Sequence, residues 1–140
     1  MSYVFDLDGT LADATHRLHF IQQEPKDWDS FFGAVGDDAP IHHVIDIANA
    51  LEAIGFGVVI WTGRPERCQR DPISWLQKHG VRFDALLMRE DGDRRPDHEI
   101  KMEWLALLGG VTAAFEDRSR VVAAWRAAGV PCYQVASGDC

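Results

Sequence analysis

Five short apolar runs, each followed by polar residues, recur along this chain: residues 3–7 (YVFDL), 57–61 (GVVIW), 85–89 (ALLMR), 113–116 (AAFE) and 132–135 (CYQV). Apolar runs without alternation predict strands covered on both faces, hence a parallel sheet. Helical periods lie between them. Val44, Ile47, Ala48, Leu51 and Ile54 recur at three and four before Gly55. Asp71-Pro72 predicts an N-cap and first helical position for a helix reaching His79 and stopping at Gly80. Asp97 predicts the cap of a helix with Ile100, Trp104, Leu107 and Leu108 on one face. Val121, Ala124, Trp125 and Ala128 mark the last helix, ended by Gly129. Alternating strand and helix predict an α/β fold: a three-layer sandwich around a central parallel sheet, Rossmann-like. Residues 12–40, with Pro25, Gly33, Gly36 and Pro40, break the pattern and predict loop with a short helix. The length of 140 residues fits one domain, 1–140.

Parallel sheets bind ligands beyond the carboxyl ends of their strands. The polar residues predicted there are Asp6 and Asp8, Thr62-Gly63-Arg64, Arg89, and Glu116-Asp117-Arg118. Asp6 and Asp8, two apart on an extended strand end, share a face, and Gly9 lets the chain turn sharply. Two carboxylates held close compete for ionisation, so one of the pair is expected to rise in pKa, leaving a nucleophile and a proton carrier. Carboxylates beside a phosphate require a cation. Mg²⁺, which prefers oxygen ligands, suits Asp6 and Asp8 with Asp117 from a neighbouring strand end.

The net charge of −8 argues against a protein that coats long nucleic acid, because such binding neutralises many phosphates. It leaves room for a site that grips one terminal phosphate. Arg outnumbers Lys 11 to 3, and Arg suits bidentate phosphate contacts. Cys68, Cys132 and Cys140 are odd in number and lack C-x-x-C spacing, so reduced thiols in a cytoplasm are expected. No signal segment opens the chain and no apolar run has membrane-spanning length.

The segment VFDLDGTLAD resembles the first motif of the haloacid dehalogenase superfamily. Thr62 in WTGRP matches its second, Lys101 stands where the third motif's lysine is expected, and FEDR at 115–118 resembles the fourth. The resemblance implies a phosphatase with a minimal cap. Asp6 would attack phosphorus and Asp8 would serve as general acid and then base. Thr62 would bind a phosphoryl oxygen and Lys101 would neutralise charge. Mg²⁺ would lie on Asp6, the Asp8 carbonyl and Asp117. DLDGTLADATHR, MREDGDRRPDHEIK and EDRSRVVAAWRAAGVPCYQVASGD are further similar to the 3′-phosphatase half of the phage polynucleotide kinase/phosphatase family. That implies hydrolysis of terminal 3′-phosphates, and to some degree 2′,3′-cyclic phosphates, of DNA or RNA. It also implies site roles for Arg17, Gly63, Arg64, Arg89 and Asp97. Glu116 departs from the family, which commonly has Asp there. No kinase half precedes Met1, so a separate polynucleotide kinase or ligase is the expected partner. The expected location is the cytoplasm, that of the host cell for a phage-encoded chain.

Other readings stay open beside these. Arg64 and Arg89 fit phosphate contact or surface pairing, and Arg17 lies in an irregular stretch. Arg94 and Arg95 fit plain solvated charge, and Asp91 and Asp93 fit a turn or a second metal. His16 and His19 have the i, i+3 spacing of a zinc pair without a third ligand nearby. Trp28, Phe31 and Phe32 either pack over the sheet or stack on a terminal base. A small-metabolite phosphatase, favoured by the acidic charge, and a non-catalytic phosphate-binding module are the competing functions.

Overall fold

A computed structural model describes residues 1–68 and 70–137. Cys140 and the end of the QVASGD segment lie outside the described residues. Strand β1 (Ser2–Phe5) runs through the middle of the main sheet. A short antiparallel pair, β2 (Ala12–Asp13) with β3 (Ala39–Pro40), lies apart from it. The strands β4 (Gly57–Pro65), β5 (Ala85–Arg89), β6 (Val111–Glu116) and β7 (Cys132–Gln134) complete a five-stranded sheet in the order β5-β4-β1-β6-β7. Every pairing in that sheet is parallel. Helices α1 (His19–Gln22) and α2 (Trp28–Gly33) belong to the 12–40 segment. The long crossovers are α3 (His42–Ala53), α4 (Arg70–Lys78), α5 (Asp97–Leu108) and α6 (Ser119–Ala127).

The predicted α/β sandwich is the observed one. On one face Phe5, Val58, Ile60 and Phe115 pack against Val44 and Ala48 of α3 and Trp75 and Leu76 of α4. On the other, Val4, Trp61 and Ala114 pack against Val121 and Trp125 of α6, with Met102 and Trp104 of α5 beside them. Trp125 is wholly buried, stacked on Trp61 at 5.5 Å, and Trp104 meets Trp61 edge-on at 5.7 Å. Burying such a ring contributes about 1.5–3 kcal/mol, and a well-oriented aromatic pair about 0.5–1.5 kcal/mol more. The central strands are thus held rigidly from both sides, and what they carry at their ends is positioned.

The boundaries differ in informative ways. β1 stops at Phe5, although the Asp6 amide still donates to the Phe115 carbonyl at 3.0 Å. β4 runs to Pro65, four residues beyond the predicted 61, because β5 continues to pair with it after an irregularity between Thr62 and Pro65. Thr62, Gly63 and Arg64 are therefore sheet residues. α4 begins at Arg70, so Asp71 and Pro72 lie inside its first turn rather than before and at its start. α5 begins at Asp97 itself, whose carboxylate turns to an arginine instead of capping the helix. The 12–40 segment holds two short α-helices, two two-residue strands and 3-10 turns at 15–17 and 35–37. Elements of two to six residues are too short to show a period, which is why only loop and one helix were predicted there. Asp27 caps α2 by accepting from the Ser30 amide at 3.0 Å.

Candidate active site

The carboxyl ends of β1, β4 and β6 converge on two adjoining clusters of buried charge. In the first, Asp6 at the end of β1 is paired through Oδ1 with Lys101 Nζ of α5 at 2.8 Å. The same ammonium donates to Glu116 Oε1 at 2.6 Å. Asp6, Glu116 and Asp117 offer carboxylate oxygens that all lie within 4.8 Å of one another, and all three residues are buried. Three carboxylates against one ammonium leave a surplus of negative charge. Burial and the nearby Asp6 charge push Asp117 up to about 8. Burial and Asp6 also raise Glu116 well above the ordinary range, against the pull of Lys101. Burial would lower the Lys101 pKa, but Asp6 and Glu116 overcome that and raise it. Glu116 Oε2 and Asp117 Oδ1 have no hydrogen-bond partner although buried. Orphaned anionic oxygens around a charge surplus fit a divalent cation of the oxygen-seeking kind.

Gly9 is required by this cluster. Its φ is +82°, and a Cβ on it would lie 2.1 Å from Asp117 Oδ2. The glycine therefore serves the turn after β1 and also the approach of the fourth-motif carboxylate.

The second cluster surrounds Asp8, and here one expectation is corrected. Asp8 is not the member of the pair whose pKa rises, and the two carboxylates face different cations: Lys101 for Asp6, Arg64 and Arg17 for Asp8. Arg64 Nη2 donates to Asp8 Oδ1 at 2.5 Å and Arg17 Nη2 donates to the same oxygen at 2.6 Å. Burial favours the neutral acid, but Arg64 and Arg17 prevail and hold Asp8 down at about 2. The raised pKa expected of the Asp6–Asp8 pair falls on Asp117 and Glu116. The carboxylate of Asp8 stands apart from the metal-competent group, and Glu116 completes that group instead.

Asp38, in the turn before β3, escaped the sequence reading. It is buried and accepts from Arg17 Nε at 2.8 Å and Nη2 at 2.7 Å. Arg64 Nη2 reaches it at 3.4 Å and His16 Nε2 stands 2.6 Å away. Two carboxylates and two guanidiniums thus form a nearly neutral buried network that ties the 12–40 segment to β4 and to the turn after β1. The only sequence signal for Asp38 was indirect: a buried Arg17 needs a countercharge. Arg64 Nη1 is buried and has no partner.

The remaining predicted residues lie around the same edge. Thr62 is buried and its Oγ1 accepts from the Arg64 amide at 3.1 Å. Gly63 has no room for a side chain, since a Cβ would lie 2.1 Å from Asp97 Oδ1. Arg89 donates to the Gly63 carbonyl at 2.7 Å, to the Asp93 and Arg95 carbonyls, and to Asp97 Oδ1 at 2.6 Å. Its guanidinium is engaged in holding the 89–97 loop. Arg95 pairs with Asp93 and Glu103, and Asp91 accepts from the Arg67 amide, so these acids shape the loop. His16 is on Asp38, His19 lies tilted against the Phe20 ring at 4.0 Å, and His42 and His43 face water.

Comparison with known proteins bears on the family and the fold. The model of the polynucleotide kinase PNKP phosphatase domain matches residues 1–140. A chain in the Pnkp1/Rnl/Hen1 RNA repair complex is 28% identical over 99% of this chain and 43% of its own length, with a TM-score of 0.84. A second Pnkp1/Rnl/Hen1 complex contains a chain 28% identical over 99% and 47%, with a TM-score of 0.81. This chain therefore spans less than half the length of either. A hydrolase from Streptococcus pneumoniae TIGR4, 16% identical over 94% of this chain and 90% of its own, shares the fold with a TM-score of 0.62. No helix among the described residues is long and apolar enough to cross a membrane. The family model matches along the whole length, and the chain is therefore a member of the polynucleotide kinase PNKP phosphatase domain family, a phosphatase of the haloacid dehalogenase superfamily.

Proposed function

We propose that this phosphatase hydrolyses terminal 3′-phosphates of DNA or RNA, and 2′,3′-cyclic phosphates to a lesser degree, through an aspartyl-phosphate on Asp6. The observation that carries the chemistry is the buried Asp6 carboxylate, held on Oδ1 by Lys101 at 2.8 Å and flanked by Asp117 and Glu116. Asp6 attacks phosphorus as the bond to the leaving 3′-oxygen breaks, and Asp8 gives that oxygen its proton. Asp8 then takes a proton from the water that cleaves the aspartyl-phosphate. Lys101 offsets the negative charge of Asp6 and of the phosphoryl group, and Thr62 donates its hydroxyl to a phosphoryl oxygen.

Mg²⁺ is the cofactor of this reading, with Asp6, Asp117 and the Asp8 carbonyl as its holders and Glu116 beside them. When bound it supplies the positive charge that lets a dianionic phosphate approach a carboxylate.

The state of Asp8 follows from the same network. As an acid it must carry a proton, and Arg64 and Arg17 hold it ionised in this structure. A phosphate dianion competes for these guanidiniums, and Arg64 Nη1 has no other partner. As the arginines turn toward phosphate, burial, the largest influence on Asp8, raises it toward its acid role. Substrate binding and protonation of the acid are thereby coupled. Arg89, Gly63 and Asp97 act on this reading by fixing the loop that borders the phosphate.

The 3′-end preference draws on family membership and on the likeness to chains of RNA repair complexes. A polynucleotide kinase or ligase activity is the partner proposed, on the likeness to chains of RNA repair complexes. The −8 charge favours a second reading, a small-metabolite phosphatase. Comparing kcat/KM for one oligonucleotide phosphorylated at its 3′ or its 5′ end, against a sugar phosphate, separates the two. The 3′ form is expected to be preferred, with a shallow salt dependence because few backbone phosphates are neutralised. Equal values, or preference for the sugar phosphate, would establish the metabolite enzyme.

A further inference from the structure

The 12–40 segment carries an aromatic cluster that the chemistry does not use. Trp28 on α2 is 45% exposed, whereas Trp61, Trp75 and Trp125 are buried. Its ring is held firmly. Phe32 lies nearly parallel to it at 5.9 Å and 23°, and Phe31 meets it edge-on at 5.7 Å and 86°. An exposed indole stiffened by two neighbours presents apolar area at little entropic cost.

This ring is continuous with the active site. One helical turn on from Trp28, the Phe31 ring lies 4.4 Å from the Arg17 guanidinium carbon, and the Phe31 carbonyl accepts from Arg17 Nη1 at 3.4 Å. Nη2 of that guanidinium is on Asp8. Three successive contacts therefore connect Trp28 to the proposed proton donor. Lys26 Nζ stands 5.9 Å from the indole centroid, a cation at the same rim in a chain of net charge −8.

We propose that Trp28 is a stacking platform for the 3′-terminal nucleobase of the strand whose phosphate enters the site, with Lys26 facing the adjoining backbone phosphate. The inference rests on the 3′-phosphatase reading above and names how such an enzyme holds its substrate. A terminal nucleotide carries its base and its 3′-phosphate on one sugar, so a phosphate held at Asp6 brings the base to the rim of the site. A chain of net charge −8 repels most of the strand, so beyond Lys26 it has little counter-charge with which to grip it. Stacking on an aromatic ring needs no backbone contact and accepts every base, because each has a π face.

The test uses two oligonucleotides with the same 3′-phosphate, one ending in a nucleoside and one in an abasic sugar. Wild type should favour the base-bearing end, and Trp28→Ala should reduce that kcat/KM ratio roughly tenfold, chiefly through KM, within the range known for base–aromatic stacking. Trp28→Phe should restore most of the ratio. The ratio is internal to each variant, so a fraction of misfolded protein does not alter it. A Trp28→Ala ratio equal to that of wild type would overturn the platform while leaving the 3′-phosphatase intact. Wild-type enzyme that hydrolyses neither oligonucleotide would overturn the function and the platform with it.

Discussion

Replacing Asp38 with Asn should destabilise this protein far more than a neutral, nearly isosteric change usually does. Asp38 and Arg17 are both fully buried and joined by two hydrogen bonds of 2.8 and 2.7 Å. With Asn, Arg17 and Arg64 are left with one carboxylate, Asp8, and the network carries an uncompensated buried charge. Removing one partner of a buried pair costs about 3–5 kcal/mol, several times the worth of an exposed pair. For a chain this long that lowers Tm by roughly 10 °C or more. Urea unfolding of Asp38→Asn, Arg17→Met and the double variant at pH 7 would measure it. The double variant should be less destabilised than the sum of the singles by at least about 1.5 kcal/mol, since each change removes the charge that the other strands. Additivity within about 0.5 kcal/mol would refute the idea that these side chains act as one network.

Asp6→Asn should abolish turnover while leaving a folded protein, because the amide keeps the shape and cannot attack phosphorus; activity within about tenfold of wild type would reject the covalent step. Asp117→Asn should have opposite effects on metal and on stability. Asp117 has a folded pKa of about 8 against an ordinary 3.8, so its stabilising share is full below about pH 4 and is lost as pH rises toward 8. In chelator at pH 8 the Asn variant should therefore unfold at a higher temperature than wild type, whereas added Mg²⁺ should raise the Tm of wild type and raise that of the variant less. A variant less stable than wild type in chelator at pH 8 would contradict this. Gly63→Ala places a Cβ 2.1 Å from Asp97 Oδ1, which Arg89 holds in place, and should cost about 1–3 kcal/mol in a denaturant titration.

What could be read from the sequence follows physical lines. The sheet was legible because β1, β4 and β6 are apolar on both faces, and their ends had to carry whatever polar chemistry the chain possesses. Asp6, Thr62, Arg64 and Asp117 were therefore found by position alone. Lys101 was found only by resemblance, since nothing in the period of α5 marks a buried lysine. Asp38 was missed because it lies far along the chain from its partners, in a segment whose elements are too short to show a period. The low pKa of Asp8 was hidden for the same reason: spacing shows Asp6 two residues away, but not Arg17 and Arg64 arriving from two other elements. The difference bears on mechanism. Had Asp8 shared a proton with Asp6, it would be an acid before substrate arrives. Held at about 2 by two arginines, it would on the proposed mechanism become one only as those arginines are drawn to phosphate. On that mechanism the 12–40 segment, which supplies Arg17 and Asp38, bears on the proton transfer through the Arg17 contact with Asp8.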